Sequence, residues 1–304
     1  MKYTIGLTGA SGMLGKHLIN FLLKKNLKIV TTSRRSIEYK NKNIDWKKFD
    51  LTKIKNEKTL DNLFGDIKVL VHAGALVPTN IKQQNKDKII KTNLKPTIII
   101  SKWAKKNNVH FIYISGAIVY ENKIKKKIKE TSKIKNFFLR DYYGKSKKNC
   151  DNYLKRKIQL GDKVSILRPT SIYGYGLKKD KIIIKLIKLS KFNQPIILSE
   201  PFEKINFIHA NDVANAVYKI IKKKQYKIFN LGSKMLYSIK DLSKILIKIN
   251  KSKSKLQIYS SSKKIKYLYK YNVSSNKAKL NLGWKTKIPI NKGLKLIIDK
   301  KYEY

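Results

Sequence analysis

An apolar run, Tyr3-Thr4-Ile5-Gly6-Leu7-Thr8, leads straight into Gly9-Ala10-Ser11-Gly12-Met13-Leu14-Gly15. Apolar residues then recur at helical spacing through Met13, Leu14, Leu18, Phe21 and Leu22. Strand, three spaced glycines and helix constrain this chain more than any other feature. Gly9 permits a tight turn, Gly12 lets the backbone approach a bound group, and Gly15 lets the helix pack on the strand. A helix N-terminus presents unpaired N–H groups and a partial positive charge, which together suit a pyrophosphate. Gly9, Ser11, Gly12, Met13, Leu14 and Gly15 are therefore candidate dinucleotide-binding positions.

The chain beyond this unit repeats the alternation. Strands are expected at 27–32, 45–49, 69–73, 109–115 and 164–167. Helices are expected at 53–64, 86–106 (kinked at Pro96) and 142–157. Parallel strands need helical crossovers, so this order predicts an α/β fold, a doubly wound parallel-sheet Rossmann domain. Beyond Arg168-Pro169 short apolar pieces alternate with lysine-rich helices at 181–190, 210–222, 239–249 and 291–301, and 252–266 reads as a surface loop around one short strand. The expected division is 1–168 for cofactor binding and 169–304 for a smaller C-terminal α/β substrate domain, with some segments returning to the sheet.

Composition narrows the classes. Lysine and arginine number 70 against 19 acids, a formal charge of +51. Only five are arginines, and the lysines fall on nearly every expected helix and loop. A nucleic-acid footprint needs a patch, not a total. Abundant Lys, Ile and Asn read instead as compositional drift at exposed positions, so no specific nucleic-acid partner is expected. Cys150 is the lone cysteine, and His17, His72, His110 and His209 lack metal-ligand spacing, so no metal site is expected. No apolar run is long enough to span a membrane, and the N-terminus lacks signal-peptide character, which together suggest a cytoplasmic protein.

Three further segments carry chemistry. At the end of the second expected strand stands Ser33-Arg34-Arg35, with no acid before Glu38. An acid there favours the ribose hydroxyls of NAD, whereas arginine accommodates the 2′-phosphate, so NADP is favoured over NAD. Tyr143 and Lys147 lie four apart in Tyr143-Gly144-Lys145-Ser146-Lys147 and share a helix face. The ammonium can favour the phenolate and hold a ribose, while the tyrosine exchanges a proton with a hydroxyl or carbonyl. Asp212, before an apolar periodic run, reads as a helix cap. His72 reads as a structural residue at a strand end, and Arg168-Pro169 as an ordered junction.

The chain resembles the extended short-chain dehydrogenase/reductases, the NAD-dependent epimerase/dehydratase family acting mainly on nucleotide sugars. Thr8 to Gly15 is similar to the family's cofactor turn, Asp50-Leu51-Thr52 to its adenine-side segment, and Val71-His72-Ala73-Gly74-Ala75 to its cofactor-lining strand end. Asn93 matches its helix asparagine, Phe111 to Tyr120 its serine strand, and Tyr143 to Lys147 its catalytic helix. Leu167-Arg168-Pro169-Thr170-Ser171-Ile172-Tyr173-Gly174 matches the segment entering the substrate domain. Phe207 to Ala214, Asn230 to Ser233 and Leu282-Gly283-Trp284 match later landmarks.

The resemblance implies Tyr143, Lys147 and Ser115 as catalytic residues. It adds Arg34, Arg35, Asp50, Leu51, His72, Ala73, Gly74, Asn93 and Pro169 to the cofactor site, beside Tyr143 and Lys147. It implies a nucleotide-sugar substrate and a homodimer. Two departures stand out. Gly116 occupies the position where the family carries a Ser or Thr hydroxyl, with Ser115 adjacent but on a strand where neighbours alternate faces. Ile205 stands where many members carry an arginine that contacts the diphosphate, with Lys204 beside it. The leading expectation is an NAD(P)-dependent epimerase, dehydratase or reductase working by hydride transfer at a sugar carbon. The alternatives are an NADPH-dependent 4-keto-sugar reductase specifically, and a catalytically weak protein that binds NADP as a sensor, for which Gly116 speaks.

Overall fold

The computed structural model describes residues 4–35, 41–78, 84–121, 127–137, 141–199, 201–259 and 269–300. Glu38 and residues 260–266 of the expected surface loop lie outside the described residues. Seven parallel strands form the central sheet: β1 (Thr4–Thr8), β2 (Lys28–Ser33), β3 (Ile44–Lys48), β4 (Val69–His72), β5 (His110–Ile114), β6 (Val164–Pro169) and β10 (Ile228–Leu231). Their spatial order is β10-β6-β5-β4-β1-β2-β3. The winding reverses between β1 and β4, where Thr8 pairs with His72. Ligand crevices form outside the carboxyl ends of strands at such a reversal.

The strands are nearly continuous apolar runs because helices cover both faces. Ile5, Leu7, Val69, Val71, Ile112, Ile114 and Leu167 face α1 (Met13–Leu23), α7 (Ala210–Lys223) and α9 (Asn276–Leu282). Leu70, Phe111, Tyr113, Val164 and Ile166 face α2 (Glu57–Phe64), α4 (Lys95–Lys106) and α5 (Tyr142–Gln159). The strand period of two puts alternate residues into opposite cores. Residues beyond 169 therefore belong to the Rossmann layer as well: α7 packs with α1, and β10 extends the sheet beside β6.

The remaining elements form the second lobe. β7 (Ser171–Tyr173), β9 (Lys204–His209), β11 (Leu236–Tyr237) and β13 (Tyr269–Lys270) make one small sheet; β8 (Ile196–Ser199) and β12 (Leu256–Tyr259) pair in another. α6 (Ile182–Lys191), α8 (Ile239–Ile249) and α10 (Ile290–Ile298) close its core around Tyr173, Phe207, Leu242 and Leu294. A capping box between Ser238 and Asp241 starts α8.

Two local expectations change. The helix expected over 86–106 is split into α3 (Lys86–Ile89), a π turn at Ile90–Leu94 and α4, with Pro96 in the first turn of α4. Proline has no N–H to donate, so it sits where a new helix begins and not inside a continuous one. Asp212 does not cap α7. The helix starts at Ala210, two residues earlier, with His209 as its cap through a hydrogen bond from the Asn211 N–H. The Asp212 carboxylate instead accepts from the Lys287 and Ile288 N–H groups at 2.9 and 3.2 Å, tethering the approach to α10.

Candidate active site

The glycine turn is as tight as its spacing implies. Gly9 has φ +76°, and a Cβ there would lie 2.6 Å from the Gly74 backbone. A Cβ on Gly15 would come within 2.7 Å of the Ala10 Cα and still closer to the Gly9 carbonyl oxygen. The turn is held by the Gly9 and Ala10 N–H groups donating to the Thr32 carbonyl. Gly12 is the exposed N-cap of α1 and brings no side chain, so the amides of Met13, Leu14 and Gly15 begin the helix without a protein side-chain cap. Ser11 is part-exposed in the turn. The cradle fits a dinucleotide pyrophosphate: a Cβ would fill the space, and the helix end supplies donors.

Arg34 and Arg35 are exposed at the end of β2. Asp50 lies within reach of the Arg34 charge. Burial pushes its carboxyl up, but hydrogen bonds from Thr52 and the Arg34 charge outweigh this and hold it below its ordinary value. Leu51 presses its side chain on Gly74, at 2.5 Å from where a Cβ would stand.

A relay of hydrogen bonds crosses the sheet reversal. The Gly74 N–H donates to Thr8 Oγ1, which bonds His72 Nδ1 at 2.7 Å. His72 Nε2 bonds Thr97 Oγ1 at 3.1 Å, and Thr97 Oγ1 donates to the Asn93 carbonyl at 2.7 Å. Each hydroxyl has one proton, so the pattern closes only if Thr8 donates to Nδ1 and the imidazole carries its proton on Nε2. Burial and the Lys147 charge push His72 down to about 3, so it is neutral here. Asn93, inside the π turn, binds Leu76 through both amide atoms and donates to Ser146 Oγ at 3.2 Å. Ser146 in turn donates to the Tyr143 carbonyl. One asparagine thereby ties the loop after β4, with Ala73 and Gly74, to the start of α5. A π turn is a common device at functional positions; Pro96 signalled only a break in the helix here, not the π turn.

α5 is capped by Asp141, which accepts from the Gly144 N–H at 2.8 Å. Lys147 is buried, and its Nζ donates to the Ile114 carbonyl at 2.8 Å while lying 4.8 Å over the Tyr113 ring. Burial pushes the ammonium down to about 8. Tyr143 is pushed the other way, up to about 12, by burial and the Asp141 charge. The expected lowering of the phenol by lysine is not seen, and the Lys147 amine is engaged with β5. At neutral pH Tyr143 is a proton donor.

Ser115 follows the residue that receives Lys147. Its N–H donates to the Leu167 carbonyl, while its Oγ is buried and has no partner among the described residues. An orphaned buried hydroxyl is a donor held ready for something else. Gly116 is extended, and a Cβ there would meet Ile118 Cγ2 at 3.5 Å and the Pro169 carbonyl at 3.9 Å, ordinary contacts both. Nothing steric excludes a side chain at 116. In the small sheet of the second lobe, Ile205 on β9 pairs with Tyr237 and Lys270. Among the described residues no group of His, Cys, Asp and Glu could hold a metal ion. No described helix is long and apolar enough to cross a membrane.

Known proteins resemble this chain in sequence and in fold. The chain is 26% identical over 301 residues to a putative UDP-glucose 4-epimerase of Methanocaldococcus jannaschii, covering 96% of each. It is 28% identical over 202 residues to human dTDP-D-glucose 4,6-dehydratase, covering 62% of this chain and 55% of that one. Among solved structures, Thermotoga maritima UDP-glucose 4-epimerase with UDP-glucose superposes with a TM-score of 0.83 at 20% identity, and covers 98% of both chains. Bacillus cereus UDP-glucuronic acid 4-epimerase, in complex with UDP-glucuronic acid and NAD, gives 0.82 at 21% over 98% of both. These likenesses establish the fold. The model of the NAD dependent epimerase/dehydratase family matches residues 5–232, and with that match the chain belongs to this family of extended short-chain dehydrogenase/reductase enzymes.

Proposed function

We propose that the protein modifies a nucleotide sugar by hydride transfer, with Tyr143 as acid/base, Lys147 as its support and Ser115 as a second hydroxyl donor to the reacting oxygen. The observation that carries this reading is the convergence on the end of β5. Lys147 Nζ sits on the Ile114 carbonyl, and the next residue offers a buried hydroxyl with no partner among the described residues. In this reading residues 1–168, with α7 and β10, grip the cofactor, and the second lobe selects the sugar. A bound nicotinamide supplies or accepts the hydride.

The protein's own part is proton handling and orientation. Tyr143 donates its phenolic proton to the oxygen of a carbonyl as that oxygen gains charge. Ser115 donates a hydrogen bond to the same oxygen. Lys147, still an ammonium below about pH 8, supports the tyrosine by holding the shared helix face on β5 through the Ile114 carbonyl. Placing such donors where charge develops is worth about 10²–10³ in rate per donor.

We favour NADP, from the exposed pair Arg34 and Arg35 and the lack of an acid at the end of β2. A resting phenol favours proton donation, which together with NADP supports a 4-keto-sugar reductase over a redox-neutral epimerase. We extend the proposal to a cytoplasmic homodimer. The experiment is direct: purified protein is scanned for bound dinucleotide, then given NADPH or NADH with 4-keto-sugar nucleotides. NADPH oxidation that disappears in Tyr143→Phe supports the reading. NAD retained through purification, with interconversion of two sugars and no net oxidation, moves the assignment to an epimerase. Dinucleotide binding without turnover of any sugar leaves the sensor.

A further inference from the structure

Arg168 and Asp151 form an ion pair that serves neither the glycine turn nor the proton chemistry directly. Arg168 Nε donates to both Asp151 oxygens at 3.0 and 2.8 Å, and a terminal nitrogen reaches Oδ2 at 2.7 Å. The other terminal nitrogen donates to the Tyr120 hydroxyl and, at 3.1 Å, to the Glu130 carbonyl. Tyr120 donates on to Asn230 Oδ1 at 2.7 Å, and the Asn230 N–H donates to the Glu130 carboxylate at 2.8 Å. Asn230 is also the strand partner of Arg168 in the β6–β10 ladder. Arg168 and Asp151 are 2% and 1% exposed, so both ions are stripped of water, a large cost that only full pairing repays.

Position gives the pair its meaning. Asp151 stands one turn beyond Lys147 and two beyond Tyr143 on α5, so the three share a face. We propose that Arg168 and Asp151 are positioning residues for the reaction, clamping the Tyr143/Lys147 face of α5 to β6 and, through Tyr120 and Asn230, to β10. This inference rests on the functional reading above. A buried pair of this kind adds little net stability relative to apolar side chains of similar volume. What apolar side chains cannot supply is a fixed rotation of the helix and a carboxylate beside Lys147. The groups facing Lys147 are Tyr113 and the Ile114 carbonyl on β5, His72 on β4, and Cys150 and Asp151 on its own helix, with Tyr143 one turn earlier on the same helix face. Asp151 is the one carboxylate in this group among the described residues, and it favours the ammonium.

The test compares wild type with the double variant Asp151→Leu/Arg168→Met. Cooperative melting near the wild-type temperature is expected, together with a fall in kcat of about 10²-fold, the scale of a misplacement near 1 Å. The alkaline limb of the pH–rate profile is expected at lower pH, because the charge holding the Lys147 proton is gone. Unchanged kcat and an unmoved limb would overturn the clamp. If the double variant does not fold, Asp151→Asn keeps the shape and must also lower the pH at which Lys147 titrates, read by nitrogen-15 NMR of the lysine amines. An unmoved midpoint overturns the proposal there too. That readout needs no substrate, so a wild type that turns over nothing refutes the functional reading while the clamp is still judged on Lys147.

Discussion

Acid should unfold this protein by about pH 5, above the range of an ordinary carboxylate, and the reason is three buried histidines. His72, His110 and His209 are each pushed down to about 3, chiefly by burial, with Lys147, Lys163 and His17 adding respectively. The unfolded chain returns each to about 6.5 and binds the proton that the native state refuses. A depressed folded value means stability is whole above about pH 6.5 and declines as pH falls toward 3. Between pH 7 and pH 5 each histidine removes about 2 kcal/mol, so the three remove about 6 kcal/mol. Asp212 works the other way. Burial raises its carboxyl to about 6, so it regains about 1 kcal/mol over the same interval. The balance, about 5 kcal/mol, matches the lower end of total domain stability. Urea unfolding at pH 7, 6 and 5, followed by circular dichroism, should therefore show the midpoint collapsing by pH 5. His110 gives the sharpest control. It bonds Ser165 Oγ at 2.7 Å at the start of β5, the end of the strand remote from Lys147 and Ser115. His110→Gln keeps a polar partner for Ser165 and has nothing to titrate, so it should recover about 2 kcal/mol of the pH 7-to-5 loss. Equal losses in wild type and His110→Gln would refute the linkage argument.

Three other outcomes test the site. Gly15→Ala drives a methyl group into the Gly9 carbonyl and the Ala10 backbone, so thermal stability and dinucleotide affinity should fall together. Gly12→Ala meets only the Gly9 carbonyl at 3.2 Å and should weaken dinucleotide binding with little change in Tm; isothermal titration calorimetry and melting separate the two. Ser115→Ala should lower kcat about 10²–10³-fold, and Gly116→Ser in that background, where a Cβ meets only ordinary contacts, should restore part of it in a steady-state assay; no recovery would mean that the two positions do not reach the same oxygen.

The parallel sheet was legible because its signals are local. Each strand is a short apolar run, each crossover has helical spacing, and the glycine turn fixes where the first pair begins. The second lobe was less so. β7, β9 and β11 are three, six and two residues long, and such pieces gain their conformation from pairing across long loops, which no short window contains. Pro96 announced a break in the helix but not that a π turn would carry Asn93 into the loop after β4. Asp212 looked like a cap because its neighbours resemble one, and its partners Lys287 and Ile288 lie some 75 residues away in sequence. The Arg168–Asp151 pair had a faint signal, a rare arginine and an acid one turn from Lys147. Only the fold shows that the two meet.

The seventh strand has a consequence for how the protein is made. β10 ends at residue 231, and α7, which covers α1, ends at 223. A nascent chain that has finished β6 therefore carries β6 as an exposed edge, the place β10 takes in the finished sheet, and one uncovered apolar helix face. At about 5–20 residues per second, the roughly 62 residues from 170 to 231 take roughly 3–12 s to synthesise. During that interval the emerging protein presents a strand edge and apolar surface of the kind that invite aggregation. Its vulnerable moment is thus set by ribosome speed, and slow codons between β6 and β10 would lengthen it.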